Sequence, residues 1–270
     1  MRIIKQLIIL LIFLSILSGI GFLIYWFNRP LPTCSDGIQN QEEEGVDCGG
    51  PCQSCEISAL KPLEVSETRA LRVKDNFYDL AARIKNPNQN YGSGRIVYHF
   101  KLYDSNNNLI NEREGADYIL PNQNKYLIVS KVESPRPIEK IELLFDQFEW
   151  QKLQDYQPPQ LVVTRKEYSP SKPDEPGFSR ATGLVINKTN FDFERIDVDI
   201  LLLNSNRQIV GLNTTEIQTL LSNQERHFIA AWFEPIEDNI VSMEVEVETN
   251  LFDSDNYMKR HGAPEDFKDY

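Results

Sequence analysis

The chain has 270 residues, 41% hydrophobic and 25% charged, with 28 Lys and Arg against 40 Asp and Glu for a net charge of -12. That composition excludes a wholly disordered polymer. The acidic balance excludes a nucleic-acid binder and a basic face for anionic membranes, because the cations that would neutralise phosphate are lacking.

Residues 6–27, QLIILLIFLSILSGIGFLIYWF, carry no charge. At about 1.5 Å per residue they reach roughly 33 Å, enough for a hydrocarbon core of about 30 Å. The apolar run continues past Ser18 and Gly19 to Trp26 and Phe27. A signal peptide stops sooner, after about 7–15 apolar residues, so the expectation is an uncleaved transmembrane helix. Arg2 and Lys5 precede the span, and after Arg29 no Lys or Arg occurs until Lys61. This asymmetry predicts a cytoplasmic stub and anchor over 1–28, a single pass, and nearly everything else outside the cell membrane.

All four cysteines, Cys34, Cys48, Cys52 and Cys55, fall in the acidic stretch 29–58. Their spacing fits two disulfides or a zinc site, and the expected oxidising exterior favours disulfides, with three pairings open. Asp36, Asn40, Glu43, Glu44 and Asp47 offer hard oxygen ligands among glycines. Calcium is one expectation for Asp36, Asn40, Glu44 and Asp47; a solvated acidic loop is the other. Cys34, Asp36, Gly37, Asn40, Asp47, Cys48, Gly49, Gly50 and Cys52 together resemble the cysteine-rich module C-x-D-G-x-x-N-x-x-E-x-x-x-D-C-G-G-x-C of secreted and surface proteins. Gln41 stands where that module has glycine.

The remainder matches itself at a spacing of about 100 residues. RIVYHFKLYDSNNNLI from Arg95 answers RIDVDILLLNSNRQIV from Arg195, and LPNQNKYLI from Leu120 answers LSNQERHFI from Leu221. Two flanking blocks keep the same order, LEVSETR with LVVTRKE and PIEKIELLF with PIEDNIVSMEV. A repeat at this spacing predicts two similar units. Ile96, Tyr98, Phe100 and Leu102 alternate with more polar residues, as do Ile196, Val198 and Ile200 with Asp197 and Asp199. Period two means strands with one buried face, and DSNNN at 104–108 and NSNRQ at 204–208 are turns.

The expected fold is therefore mainly β, two tandem antiparallel immunoglobulin-like β-sandwiches over 59–153 and 160–252 behind the helix and the disulfide-rich loop. Phe100 to Asp104, FKLYD, is similar to the signature of FxLYD domains, with IKNPNQN at 84–90 and Leu120-Pro121 resembling that family's flanking turns. The resemblance implies an extracytoplasmic β-sandwich and no reaction. In the second half the signature has become Ile200, Leu201, Leu202, Leu203 and Asn204. Pro158 and Pro159 mark the boundary, SPSKPDEPG at 169–177 reads as a loop, and 253–270 reads as a flexible tail.

Chemistry is sparse. His99, His227 and His261 lie far apart in the sequence, and no nucleophile, metal or phosphate-loop motif occurs, so the expectation is no enzyme and no cofactor beyond calcium. Asp197 and Asp199 are expected on a solvated outer face, and Asn187-Lys188-Thr189 and Asn213-Thr214-Thr215 are sequons. Tyr91, Phe191 and Phe193 read as loop aromatics at one end of each sandwich, where they either offer a binding site to a surface protein or glycan or plug the end of the core. The functional expectation is a binding or spacer module in cell-envelope assembly or adhesion, with a calcium- or ligand-sensing ectodomain as the alternative.

Overall fold

The computed structural model describes residues 2–28 and 33–262. It divides into two compact units, Met1–Leu60 and Lys61–Tyr270. The first holds α1 (Arg2–Asn28) and, from Thr33, the cysteine-rich loop ending in the short helix α2 (Cys55–Ser58). Within α1, Lys5–Trp26 is long and apolar enough to cross a membrane.

The second unit is built from antiparallel sheets. Its first half contains β1 (Glu64–Lys74), β2 (Phe77–Lys85), β3 (Tyr91–Tyr103), β4 (Leu109–Ile119), β5 (Asn124–Glu133), β6 (Lys140–Phe145) and the short β7 (Gln151–Lys152). They form a β1-β2-β5 sheet and a β4-β3-β6 sheet to which β7 adds by pairing with β3. The second half contains β8 (Leu161–Pro170), β9 (Ser179–Asn187), β10 (Phe193–Leu203), β11 (Ile209–Leu220), β12 (Glu225–Trp232) and β13 (Ser242–Glu248). Its sheets run β8-β9-β12 and β11-β10-β13, the same order as in the first half. The sheets enclose two cores, so that two β-sandwich-like layers of sheets follow one another along the chain.

The FKLYD stretch shows why each residue type is needed. Phe100 and Leu102 are fully buried on the inner face of β3, Lys101 and Tyr103 point outward, and Asp104 closes the turn. Its Oδ1 accepts from the N–H of Asn106 and Asn108, and Asn204 repeats this in the second sandwich with Asn206 and Gln208. A second shared device is a buried asparagine just after β2 and at the end of β9. Asn86 donates through Nδ2 to the carbonyls of Tyr91 and Leu120, while its Oδ1 accepts from Asn88 N–H. Asn187 does the same with Phe191, Leu220 and Thr189. Each amide ties together segments at the end of a sandwich and adds donors to carbonyls buried there. The sequon asparagine Asn187 is fully buried with its amide nitrogen already donating, so it is not accessible to a glycan.

The expected loose tail is also corrected. Residues 263–270 lie outside the described residues, but Leu251–Asp253 forms a 3-10 turn and Asp255–His261 a helix, α3. Leu251 and Tyr257 are buried in the second core, and Phe191 packs edge-on against Tyr257 with ring centroids 5.0 Å apart. Asp255 in the first turn and Lys259, Arg260 and His261 in the last complement the helix dipole. Two apolar anchors in so short a segment are too few for a periodicity signal.

Asn86→Ala and Asn187→Ala each remove buried hydrogen bonds to carbonyls and to a backbone N–H, at about 1–3 kcal/mol per group left unsatisfied. Each variant is expected to lose about 2–4 kcal/mol in urea denaturation, with the midpoint falling and the slope unchanged.

Candidate functional site

In the cysteine-rich loop the disulfides are Cys34–Cys52 and Cys48–Cys55, with Cα atoms 5.5 and 4.7 Å apart. The carboxylates of the loop act as acceptors for backbone donors. Asp47 accepts from the N–H groups of Asp36 and Gly37, and Asp36 accepts from Ile38 and Thr33 N–H and from Asn40 Nδ2. The side-chain bond from Asn40, joined by the backbone donors, holds the Asp36 carboxyl below its ordinary range. Buried Glu43 accepts from Asn40 and Asp47 N–H. Asp36, Asn40 and Asp47 are thus brought together, while Glu44 stays exposed.

Among the described residues the only three cysteine, histidine or carboxylate side chains that converge within 4.8 Å are Cys34, Glu43 and Cys52, and two of these sulfurs are bonded to each other. The chain bends here through left-handed backbone at Gln41, Glu42, Asp47, Gly49 and Gly50. A Cβ on Gly50 would sit 2.5 Å from the Glu42 carbonyl oxygen. Gln41, at φ 52°, occupies the conformation for which the resembling module keeps glycine.

Of the two readings of the end aromatics, the structure agrees with plugs of the core. Tyr91 opens β3 and is buried, Phe193 is 1% exposed in the second core, and Phe191 is half-buried beneath α3. Asn86 and Asn187 draw the carbonyls of Tyr91 and Phe191 inward, which sequence spacing does not reveal. Of the histidines, His99 is half-buried on β3 between Glu112 and Asp146, each 3.2 Å away, His227 is exposed on β12, and His261 stacks on Tyr257.

Charge chemistry concentrates instead where the two sandwiches meet. The outer face of β1-β2-β5 lies against the outer face of β11-β10-β13. Leu71, Ala81, Tyr126 and Ile128 pack there on Leu201, Leu203, Ile209 and Leu212. Beside this apolar contact Lys125 is buried, with Nζ 3.0 Å from Asp117, 2.9 Å from Glu248 of the second sandwich, and 4.0 Å above the Tyr118 ring. Burial alone would depress the ammonium, but Glu248 and Asp117 outweigh it and its pKa stands above the ordinary value. Tyr118, Leu120 and Leu153 of the first half lie in the core cluster of the second.

Asp199 is therefore not on a solvated face. Burial, opposed by Lys125 and reinforced by Glu248, pushes its carboxyl up to about 7. Glu246, directly opposite Asp199 in the β10-β13 ladder, is pushed up to about 7 by burial and by Glu248. Asp197 pairs with Arg195 at 2.7 Å. A cavity of about 520 Å³ beside the cluster is lined by Arg95, Asp117, Tyr118, Arg195, Asp197 and Asn250 among others. The missed signal is the unbroken apolar run Ile200–Leu203, which marks a strand buried on both faces.

No family model matches the chain, and no curated protein matches it. Among solved structures, a crystal structure of red sea bream transglutaminase is similar at 13% identity with a TM-score of 0.23. The match covers 70% of this chain and 29% of that one.

Two measurements probe the junction. Lys125→Ala leaves Glu248 and Asp117 facing each other, and urea denaturation is expected to show a loss of about 3–5 kcal/mol. Because Asp199 and Glu246 have raised pKa values, the unfolded chain binds fewer protons than the folded one between about pH 4 and 7. Stability contributed by these groups therefore falls as pH rises through that window. Melting scans should give a lower midpoint at pH 8 than at pH 5.5, and the Asp199→Asn/Glu246→Gln double variant should flatten the difference.

Proposed function

We propose that this chain is a single-pass membrane protein with a cytoplasmic N-terminus. On this reading it carries outside the membrane a disulfide-stapled loop and a duplicated FxLYD-like pair of sandwiches. It is a non-enzymatic spacer or binding module of the cell envelope, presenting the surface of two rigidly joined sandwiches. The observation that carries this reading is the fusion of the two sandwiches through a shared core and a buried lysine, in place of a flexible linker. A rod that must present a surface needs such stiffness, whereas a tether does not.

Support for the orientation comes from the flanks, Arg2 and Lys5 before the span and an acidic, lysine-free stretch from Thr33 to Leu60. Support for the exterior comes from two disulfides within one short loop. The two carboxyls raised to about 7, Asp199 and Glu246, lie at the junction between sandwiches.

The test is protease protection of the full chain in sealed, right-side-out membrane vesicles, followed by intact mass before and after reduction. Residues beyond Asn28 should be degraded from outside without detergent, and reduction should add about 4 Da for two disulfides. A protected C-terminal region, or a mass unchanged by reduction, would overturn the reading.

A further inference from the structure

The cysteine-rich loop contains a buried carboxylate oxygen that its oxidised form does not use. Glu43 is 6% exposed. Its Oε2 accepts from the N–H groups of Asn40 and Asp47 at 3.1 and 3.2 Å. Its Oε1 lies 3.2 Å from Cys52 Sγ, and that sulfur, bonded to Cys34, has no hydrogen to give. Among the described residues no other group donates to Oε1. A buried charged acceptor left without a donor is destabilising, and a fold that keeps one calls for a reason.

The surroundings of that oxygen identify what fits. One carboxylate oxygen of Glu43 and the sulfurs of Cys34 and Cys52 all lie within 4.8 Å of one another. Zinc bonds of about 2.3 Å to sulfur and about 2.1 Å to oxygen put tetrahedral ligand atoms about 3.5–3.8 Å apart, so the two sulfurs need only part for the three atoms to surround a cation. The backbone donors to Oε2 already fix the carboxylate's orientation, as the partners of metal-binding carboxylates do. Asp36 and Asp47 lie outside this group, with their oxygens turned to backbone N–H groups. The scaffold does not depend on the Cys34–Cys52 bond alone. Glu43 N–H donates to the Asn40 carbonyl, Cys52 N–H to that of Gly49 and Gly49 N–H to that of Gln53, and Cys48–Cys55 is a separate bridge. No Lys or Arg occurs from Thr33 to Leu60 to repel a cation. Cys34 is exposed, so an external thiol has access to this disulfide.

We propose that Cys34, Cys52 and Glu43 form a redox-gated site for a thiophilic divalent cation of the zinc class, closed while the disulfide holds and open once a dithiol has reduced it. A thiolate of the dithiol attacks Cys34 Sγ and expels Cys52 as a thiolate. The second thiolate then attacks the mixed disulfide, releases Cys34 and leaves as a cyclic disulfide. Two electrons and two protons pass from the dithiol to the two cysteines. The cation binds both sulfurs as thiolates with Glu43 Oε1 as third ligand, displaces the two protons to solvent, and keeps its fourth position for water.

The test uses the full chain in detergent micelles with Co2+ as the probe, because sulfur-to-cobalt charge transfer absorbs strongly and reports thiolate ligands. A phosphine reduces the chain and is then removed under argon. The reduced chain is expected to take up one Co2+ with that absorption and to lose it to Zn2+, while the oxidised chain shows none. Glu43→Gln keeps an acceptor for the N–H groups of Asn40 and Asp47 but removes the anionic ligand, and is expected to weaken Co2+ binding by about tenfold or more. Alkylation of the cobalt-loaded chain, read by peptide mass, is expected to spare Cys34 and Cys52 and to modify Cys48 and Cys55. Protection of all four cysteines would assign the metal to four thiolates and overturn the proposal. Unchanged affinity in Glu43→Gln, or a reduced chain without the absorption, would overturn it as well.

Discussion

The architecture of the larger unit depends on one buried ammonium. Lys125 leaves its own sandwich's core at the rim, takes Asp117 from the same sandwich and Glu248 from the next, and rests on the Tyr118 ring. Taking such a charge out of water costs several kcal/mol, returned when partners and geometry are all in place. The leucines of β10 and β11 supply the area-dependent attraction between the sheets, which tolerates sliding. The lysine does not tolerate it, because a shift of one residue would strand three charges. The apolar contact provides adhesion and the ion cluster provides register.

This division of labour explains how two similar sandwiches come to play different parts. Lys101 and Tyr103 face outward on β3, and Leu201 and Leu203 occupy the matching places on β10, at 1% and 5% exposure. The FKLYD pattern is that of a strand with one wet face, and its altered form is that of a strand with none. The crowding of Asp199, Glu246 and Glu248 around a single lysine follows from the same burial. Carboxylates that would be unremarkable on a free sheet are pressed into a poorly hydrated seam, and their proton affinity rises.

The cysteine-rich loop obeys a different rule. With almost no apolar core, it is held by two disulfides and by carboxylates that gather backbone N–H groups. Closing a loop of this size covalently is worth about 3 kcal/mol through the entropy of the unfolded chain. The acids draw the backbone into turns, and residues with positive φ make those turns possible.

Period-two alternation, turn residues and the internal match were legible in the sequence, because local strand chemistry is written into neighbouring residues. The apolar span and the closely set cysteines were legible for the same reason. Asn86 and Asn187 could be seen as turn residues, but not as clasps joining segments at the end of a sandwich, since their partners lie up to 34 positions away. The misplacement of Asp199 has a simple cause. Alternation says which residues share a face, and it does not say what lies against that face. The sequence by itself determined the strands, their inner faces and the covalent loop. Tertiary structure alone decided that one outer sheet face meets another, because that choice rests on contacts between residues such as Lys125 and Glu248, separated by more than a hundred positions and brought together by packing.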